Sequence, residues 1–428
     1  MSKFSKNDKA WEKLFDKYKI LEQIEKNGYF KISATQIKEF REPRLMVKFD
    51  HTVNLPKLFS ENNLAILPIT RGDYLIAHFD AYHKFEEFDS KIIKCTPPDY
   101  IQSLDFGSIP SEAIALNCAL ASGIIADFIE DDKIIATVSG RMGSGKFDFN
   151  IQDTESKNTM RVDVNNSQIE IDGAYEGVTY LTLFEAKNDL SDDFLIRQLY
   201  YPFRVWNKRV DKPVKSVFLI YSNGIYRMYE YMFEDEYNYS SLKLIKQKNY
   251  SIEDTKITSN DIQQVLDNTK IIQEPKISFP QADKFERVIN LCELLNEKEL
   301  SRDEVTEEYA FDARQTNYYT DAAKYLGLLE KRKDGNVPVY KISDKGKRIL
   351  KMGFKDRQLS YCREIISHKV FNEVLCLVFE NGTMPEKDTI VKIMQSSNLY
   401  NIHSEETFRR RASTVSSWIN WIVELINE

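Results

Sequence analysis

The chain has 428 residues, of which 29% are charged and 42% hydrophobic, with only 15 Gly and 12 Pro. At roughly 100–200 residues per domain, this length predicts about two to four domains, and the composition excludes collagen-like, low-complexity and largely disordered proteins. The 59 basic and 66 acidic residues give a net charge of −7. Binding to a polyanion would therefore require a local basic patch.

The longest apolar stretch, residues 113–129, contains Asn117, Ser122 and Asp127. Because a membrane-spanning helix needs about 20 nearly uninterrupted apolar residues, we expect no transmembrane helix. The opening MSKFSKNDKAWEKLF lacks the apolar segment of a secretory signal, which predicts a cytoplasmic protein. The five cysteines are scattered without a CxxC pair, which favours reduced thiols over a disulfide framework or a zinc site.

The sequence pattern of residues 1–105 predicts a small α/β accessory domain that could also contact DNA. A helical opening, WEKLFDKYKILEQI, precedes short β-like runs broken by Pro56, Pro68 and Gly72. Pro97 and Pro98 then mark a boundary loop.

Residues 106–276 predict a second α/β domain. Residues 111–129 are expected to form a buried helix, because the apolar pattern continues beyond strand length. A second helix, from residue 192 to about 209, interrupts a series of short β-branched and aromatic runs. These runs are IIATVSG, KFDFNI, MRVDV, SQIEID, VTYLTLFEAK, VKSVFLIYS and GIYRMYEYMF. The order predicts a central mixed sheet with helices.

The rest of the chain predicts helices. Residues 277–360 contain three of them, one beginning with the capping-box pattern SRDE at residues 301–304, followed by a hairpin with its turn at residues 333–336. This order is typical of a winged helix. Residues 361–428 predict two or three more amphipathic helices, the last carrying Trp418 and Trp421.

The most informative passage is SQIEIDGAYEGVTYLTLFEAKN, residues 167–188. Apolar and acidic residues alternate up to Asp172, which therefore points away from the apolar face of its strand, and Glu185 and Lys187 share one face of the next strand. If the two strands pair around a turn at GAYEG, the three polar groups converge on one edge of the sheet.

Two carboxylates and the carbonyl of Ala186 are oxygen ligands that suit one or two hard cations such as Mg²⁺, with Mn²⁺ able to substitute. Lys187 could orient or help deprotonate the attacking water and offset developing negative charge. An isolated Asp with Glu-x-Lys also occurs as a solvated strand end carrying a surface salt bridge. Here the charges interrupt the apolar run LTLF and precede a basic-aromatic helix, which favours phosphodiester hydrolysis.

IDGAYEG followed by FEAKN resembles the PD-(D/E)XK nuclease motif, and together with the winged-helix region the chain resembles type II restriction endonucleases. The resemblance assigns catalysis to Asp172, Glu185 and Lys187, with Ile171 in place of the motif's Pro. It also implies an acidic residue from a preceding helix and a polar residue from a following one, and the matching positions are Glu112 and Gln198. The alternatives for these two are a partner of the helix dipole and simple helix-surface packing.

The resemblance implies a Mg²⁺-dependent endonuclease that hydrolyses double-stranded DNA at specific sequences. It further implies a homodimer or sequential nicking, and a companion methyltransferase acting on the same site. One alternative is a DNA repair or recombination nuclease of the same fold. The other is a non-catalytic winged-helix DNA-binding regulator with a degenerate nuclease core.

A local basic stretch predicts DNA contact: residues 324–369 contain 13 Lys or Arg and 5 Asp or Glu. The expected recognition helix, residues 312–326, offers groups for base edges and phosphates, and a basic wing follows it. These residues are Arg314, Gln315, Asn317, Tyr318 and Tyr319 on the helix and Lys331, Arg332 and Lys333 on the wing. The alternative is a winged helix used for protein packing or dimerisation.

Two further basic sets are candidates for DNA contact. Arg409, Arg410 and Arg411 predict a second reading head, with a solvated basic helix face as the alternative. Arg204 and Lys208 follow a helical spacing beside the expected active site, which suits a phosphate-tracking face.

Other motifs are excluded. GRMGSGK at residues 140–146 matches GxxxxGK, but Phe147 replaces the required Ser or Thr and a strand pattern follows it, so we expect a hairpin loop rather than a phosphate-binding loop. The five histidines show no HxxxH or HNH-like spacing, which disfavours a histidine-metal nuclease or zinc hydrolase, and no G-x-S-x-G elbow is present.

Overall fold

A computed structural model describes residues 5–86, 91–309, 311–335 and 337–427. The N-terminal unit, residues 5–81, packs short helices around a three-stranded antiparallel sheet of order β1-β3-β2. Its elements are α1 (Lys6–Tyr18), α2 (Ile20–Asn27), β1 (Tyr29–Ser33), α3 (Ala34–Lys38), α4 (Pro43–Met46), a 3-10 helix (Thr52–Asn54), α5 (Lys57–Glu61), β2 (Ala65–Pro68) and β3 (Asp73–Ala77). Trp11 contacts the Phe15 and Phe59 rings edge-on in the core.

The central unit, residues 82–256, contains a seven-stranded mixed sheet of order β5-β14-β13-β12-β10-β9-β6. Its strands are β4 (Tyr82–Lys84), β5 (Ile92–Lys94), β6 (Ile135–Gly143), β7 (Lys146–Gln152), β8 (Thr159–Asn165), β9 (Gln168–Glu176), β10 (Leu181–Lys187), β11 (Asp193–Leu195), β12 (Val214–Ser222), β13 (Ile225–Phe233) and β14 (Leu242–Ser251). β10–β12 and β14–β5 are parallel pairs. The predicted mixed α/β class is confirmed.

Helices cover both faces of this sheet. α6 (Glu112–Ala121) and α7 (Ile124–Ile129) pack on one face, and α8 (Arg197–Asn207) packs on the other. The single helix expected over residues 111–129 is broken at Gly123, whose φ of 76° lies in the left-handed region that glycine adopts readily. The helix expected from residue 192 begins instead at Arg197, because β11 pairs with β4 just before it.

Strands that precede the predicted domain boundary at residue 105 pair with the central unit. β4 lies against β11, and β5 extends the central sheet beside β14. Residues 140–143 belong to β6 and Lys146 begins β7, so only Ser144 and Gly145 connect the two strands. Because β6 and β7 belong to different sheets, the expected hairpin loop is corrected to a strand end and a short connection between sheets. The strand expected after it is β7, whose Phe147, Phe149 and Ile151 are buried.

The hairpin that carries the predicted catalytic strands turns later than expected. β9 continues through Glu176, and the register pairs Phe184 with Gly173 and Leu181 with Glu176. Tyr175 is buried with its ring edge-on to Phe184 at 5.3 Å, which keeps GAYE in the strand. The turn is therefore corrected from GAYEG to residues 177–180.

The C-terminal unit, residues 257–427, is helical around a small sheet of order β15-β17-β16. Its elements are α9 (Ser259–Asn268), α10 (Phe285–Glu297), β15 (Leu300–Ser301), α11 (Arg302–Glu308), α12 (Ala313–Tyr325), β16 (Leu329–Asp334), β17 (Val337–Ile342), α13 (Asp344–Leu350), α14 (Phe354–Ile366), α15 (Lys369–Asn381), α16 (Lys387–Gln395) and α17 (Glu405–Glu424). The expected sequence of three helices and a hairpin corresponds to α10, α11, α12, β16 and β17. Asn336, in the predicted turn, lies outside the described residues.

One hydrophobic core joins the whole C-terminal unit. Trp418 of α17 lies against Phe285 of α10 and Phe371 of α15, with ring centroids 4.9 and 5.2 Å away. The segments predicted as separate domains at residues 277–360 and 361–428 thus share this core, which α9 also joins. Among the helices of the described ranges, none is long and apolar enough to cross a membrane.

Candidate active site

The structure brings Asp172, in the middle of β9, together with Glu185 and Lys187 at the C-terminal end of β10. The backbone amide of Ala186 donates a hydrogen bond to Asp172 Oδ2 at 2.8 Å. The Lys187 ammonium contacts Glu185 Oε1 at 2.5 Å and the Ala186 carbonyl oxygen at 3.1 Å. Two acids, a backbone carbonyl and one ammonium group therefore form a single cluster.

Helices on both sides of the sheet add the two further predicted residues. Gln198, in the first turn of α8, donates from Nε2 to Glu185 Oε1 at 2.7 Å. Glu112, in the first turn of α6, is close enough for Lys187 and Asp172 to affect its pKa. Gln198 thus holds Glu185 directly, whereas Glu112 faces the cluster without a hydrogen bond or ion pair among the contacts of the described residues.

Burial dominates the charge state of the acids. It raises the pKa of Glu185 to about 7, with Lys187 opposing the shift and Asp172 and Glu112 adding to it. It likewise raises the pKa of Glu112 to about 7, and it raises the pKa of Asp172 above its ordinary value. Three carboxyl groups around one ammonium leave an excess of negative charge, which is the electrostatic setting that attracts a divalent cation.

The neighbouring acids keep Lys187 protonated. Burial alone would lower the pKa of Lys187, but the carboxylates of Glu185, Glu112 and Asp172 outweigh burial and raise it. An ammonium group that holds its proton can orient a water molecule and offset negative charge, whereas it is a poor proton acceptor. This favours the first of the two roles that the sequence left open for Lys187.

The donor set fits a hard divalent cation by its chemistry. The Lys187 ammonium, itself a cation, contacts Glu185 Oε1 and the Ala186 carbonyl oxygen. Both are among the oxygen atoms predicted to bind metal. Carboxylate and carbonyl oxygens are the ligands that Mg²⁺ prefers. Within the ranges that the structure describes, no group of three or more His, Cys, Asp or Glu side chains has the geometry of a metal site. A cation bound here would share the Glu185 carboxylate and the Ala186 carbonyl with the Lys187 ammonium.

The sequence did not predict the contacts of the segment that follows Lys187. His51, from the N-terminal unit, lies with Nε2 3.5 Å from Asp189 Oδ2 and Nδ1 2.7 Å from the Asp193 carbonyl oxygen. From α10, Asn290 bonds the backbone of Asn188. Neither residue belongs to a spaced motif, so no local signal could have identified it.

The expected recognition helix is α12, capped by the Asp312 side chain. Arg314 is exposed, and Asn317 and Tyr318 are half-buried at its surface. The Gln315 amide oxygen is engaged, because it accepts the Asp312 backbone N–H in a capping box.

Tyr319 requires a correction. It is only 6% exposed, and its ring stacks on Phe311 at 4.6 Å. Its position in the helix turns it into the core of the unit, so it packs there and does not reach phosphate.

The predicted wing and the basic helix α17 are both at the surface. Lys331, Arg332 and Lys333 are exposed on β16, where Arg332 also pairs with a glutamate of the same unit. On α17, Arg409 and Arg410 are exposed and Arg409 forms two ion pairs.

Arg411 of α17 is only partly exposed, unlike Arg409 and Arg410. Burial and the adjacent Arg410 lower the pKa of Arg411, and Tyr318 and Asp321 of α12 oppose that shift. Both predicted DNA-contact sets, on α12 and α17, belong to one unit.

The prediction for Arg204 is wrong. Its side chain is 1% exposed and donates hydrogen bonds to the Asp148 and Glu236 carbonyl oxygens, at 3.0 and 2.8 Å, and to the Tyr200 hydroxyl at 3.1 Å. Arg204 is a buried structural cation that cannot reach DNA. Lys208, at the C-cap of α8, is exposed as the prediction requires.

Three family models match separate parts of the chain. Residues 8–76 match Domain of unknown function (DUF6996), residues 77–251 match Domain of unknown function (DUF6997), and residues 287–427 match Domain of unknown function (DUF7226). No curated protein and no solved structure matches the chain. The acid–lysine cluster lies within the second matched range, whereas His51 and Asn290 lie within the other two.

Proposed function

We propose that the chain is a Mg²⁺-dependent endonuclease of the PD-(D/E)XK type that cleaves double-stranded DNA at specific sequences, as a type II restriction enzyme does. The observation that carries the proposal is the cluster formed by the middle of β9 and the C-terminal end of β10. There the Ala186 amide fixes Asp172, and Lys187 and Gln198 both hold Glu185 Oε1. Acids of raised pKa around an ammonium group are arranged for metal-assisted hydrolysis of a phosphodiester.

Each side chain has a distinct role in this proposal. Asp172, Glu185 and the Ala186 carbonyl would hold the cation, which when bound polarises the phosphate and lowers the pKa of a coordinated water. Lys187 orients the attacking water and offsets the negative charge that develops on the phosphate. Gln198 fixes the orientation of Glu185, and Glu112 supplies a further negative charge from α6.

The C-terminal unit supplies DNA recognition in this proposal. α10, α11, α12 and the β16–β17 hairpin follow the winged-helix order, with Arg314 exposed at the start of α12. The basic faces of the wing and α17 would neutralise phosphates although the whole chain is acidic. A homodimer would place two sites on the duplex, and a companion methyltransferase would protect the host DNA.

The test is cleavage of an unmethylated, supercoiled circular plasmid by purified protein with Mg²⁺ or Mn²⁺. Discrete, site-dependent fragments are expected. Degradation that begins only after linearisation would identify a repair or recombination exonuclease. Sequence-specific binding without cleavage in either metal would identify a DNA-binding regulator.

Replacement of Lys187 by Ala tests the assigned chemistry. The Lys187→Ala variant should lose cleavage while it retains DNA binding, because its ammonium acts on the reacting phosphate. Lys243→Ala is the matched control, since Lys243 is exposed on β14, away from the cluster, and should cleave as the wild type does. Equal loss of binding and cleavage in Lys187→Ala would contradict the role given to this lysine.

A further inference from the structure

We propose that Asn290 is a positioning residue for this active site: it clamps the backbone that follows Lys187 and thereby ties the catalytic strand end to the unit that carries α12. The inference rests on the proposed nuclease function and extends it to a residue outside the central unit.

The Asn290 side chain forms two hydrogen bonds with the backbone of residues 188–190. It is 1% exposed, its Nδ2 donates to the Asn188 carbonyl oxygen at 2.8 Å, and its Oδ1 accepts the Leu190 backbone N–H at 2.8 Å. Asn188 directly follows Lys187 in the chain. Because the Asn290 amide is buried and both bonds are at least partly shielded from solvent, its loss would leave a backbone donor and acceptor poorly paired, which costs more than the loss of fully exposed bonds.

Further hydrogen bonds hold the Asn290 side chain in place. The Tyr309 hydroxyl donates to Asn290 Oδ1, and Asn290 Nδ2 also lies 3.1 Å from Glu293 Oε2. Glu293 in turn accepts hydrogen bonds from the Ser222 hydroxyl at 2.6 Å and the Asn223 amide at 2.8 Å, at the end of β12. Asn290 is therefore anchored both to its own unit and to the strand next to β10.

The same segment is connected to the expected recognition helix. Arg287, one turn before Asn290 on α10, forms an ion pair with Asp192 at 3.6 Å. Its guanidinium lies over the rings of Phe311 at 4.5 Å and Tyr319 of α12 at 5.5 Å. One face of α10 thus contacts the segment after Lys187 on one side and α12 on the other.

This placement matters because β10 loses part of its support near its end. The ladder with β12 continues to Lys187, opposite Ile220, whereas the paired register with β9 ends at Phe184. On the β9 side, therefore, the strand end is held by the bond from Ala186 to Asp172 and by whatever fixes the residues that follow Lys187. A displacement of about 1 Å at a reacting group can lower a rate about 100-fold.

The experiment compares full-length wild type with Asn290→Ala and Asn290→Asp. The matched control is Thr320→Val, a fully buried side chain of α12 whose hydroxyl bonds only backbone carbonyls of its own helix. Three quantities are measured: the single-turnover cleavage rate with Mg²⁺, the Kd for duplex DNA in EDTA, and hydrogen exchange of the peptide that contains Leu190.

Asn290→Ala should cleave about 100-fold more slowly with an unchanged Kd, because the cluster is displaced while the DNA-contact surface is intact. The Leu190 peptide should exchange faster. Asn290→Asp keeps the acceptor for Leu190 but replaces the donor to Asn188 and Glu293 by a carboxylate oxygen that both partners repel, so it should also cleave more slowly than the wild type. Thr320→Val should match the wild type in rate and in exchange at Leu190.

Two results would overturn the clamp: an Asn290→Ala rate equal to that of Thr320→Val, or a parallel loss of rate and binding. Failure of the wild type to cleave any DNA would count against the nuclease proposal instead. In that case the exchange measurement decides the clamp alone, and unchanged exchange at Leu190 in Asn290→Ala would overturn it.

Discussion

Glu112 should lower the stability of the protein at neutral pH, and Glu112→Gln should therefore raise it. The pKa of Glu112 is raised by burial from an ordinary 4.5 to about 7. At about 1.4 kcal/mol per pKa unit, its ionisation costs roughly 3 kcal/mol of folding free energy, and solvent at this partly exposed group reduces the cost to about 2 kcal/mol. The folded chain binds this proton more tightly than the unfolded chain. This destabilisation therefore begins as the pH rises through 4.5 and reaches its full value above pH 7. Below pH 4.5 the carboxyl group is protonated in both states and the destabilisation is absent.

The free energy of unfolding by urea, measured in EDTA at about pH 8 and pH 5, tests this reasoning. Glu112→Gln should exceed the wild type by about 2 kcal/mol at pH 8, with a much smaller difference at pH 5. The control is Glu170→Gln, because Glu170 is an exposed carboxylate on β9 that pairs with Arg141, and its loss should change stability little. A Glu112→Gln variant that is no more stable at pH 8, or equally more stable at both pH values, would refute the reasoning.

Three other residues give predictions of different kinds. Arg204→Met should lower the free energy of unfolding by about 3–5 kcal/mol, measured with urea, because three acceptors around a buried guanidinium lose their charged donor. Arg314→Ala should reduce discrimination between cognate and substituted duplexes by about 1–3 kcal/mol in competition binding, if it makes a bidentate base contact. For His51, burial opposes the charged form, but Asp193 and Asp189 outweigh it and raise its pKa. The wild type should therefore be more stable than His51→Gln below the ordinary pKa, and thermal melting should show this advantage disappearing as the pH rises through the raised pKa.

A different result would contradict each of these predictions. Lys208→Met is the control for Arg204, since this exposed lysine on the same helix should affect the salt dependence of DNA binding and leave stability unchanged. Uniform weakening on all duplexes would identify Arg314 as a phosphate contact. A difference between wild type and His51→Gln that is independent of pH would show that the imidazole does not act through its charge.

The features predicted correctly from sequence are those with a local physical signal. The mixed α/β class follows from β-branched runs separated by helical periodicity. Asp312 indicates where α12 begins, because its side-chain oxygen accepts hydrogen bonds from backbone N–H groups that the first turn of a helix leaves unpaired. The approach of Asp172 to Glu185 and Lys187 follows from strand alternation plus one hairpin, even though the turn itself lies a few residues later than expected.

The errors arise where distant segments cover a surface. Arg204 has the spacing of an exposed basic face, yet Asp148 on β7 and Glu236, a few residues beyond β13, cover it and accept its hydrogen bonds. Tyr319 also follows a polar pattern, but Arg287 and Phe311 enclose its ring. In both cases long-range packing decides which face of the helix is buried, and helical periodicity alone does not contain that information.

The same limit explains why the completed candidate site is larger than its motif. His51 reaches Asp193 across 142 residues of sequence, and Asn290 reaches Leu190 across 100. Both act on the few residues after Lys187, one from each neighbouring unit. The central unit alone would keep both acids and the lysine but would lose the groups that hold the residues immediately after β10. If catalysis depends on that geometry, the motif supplies the chemistry, and the flanking units determine whether the reacting groups are correctly placed.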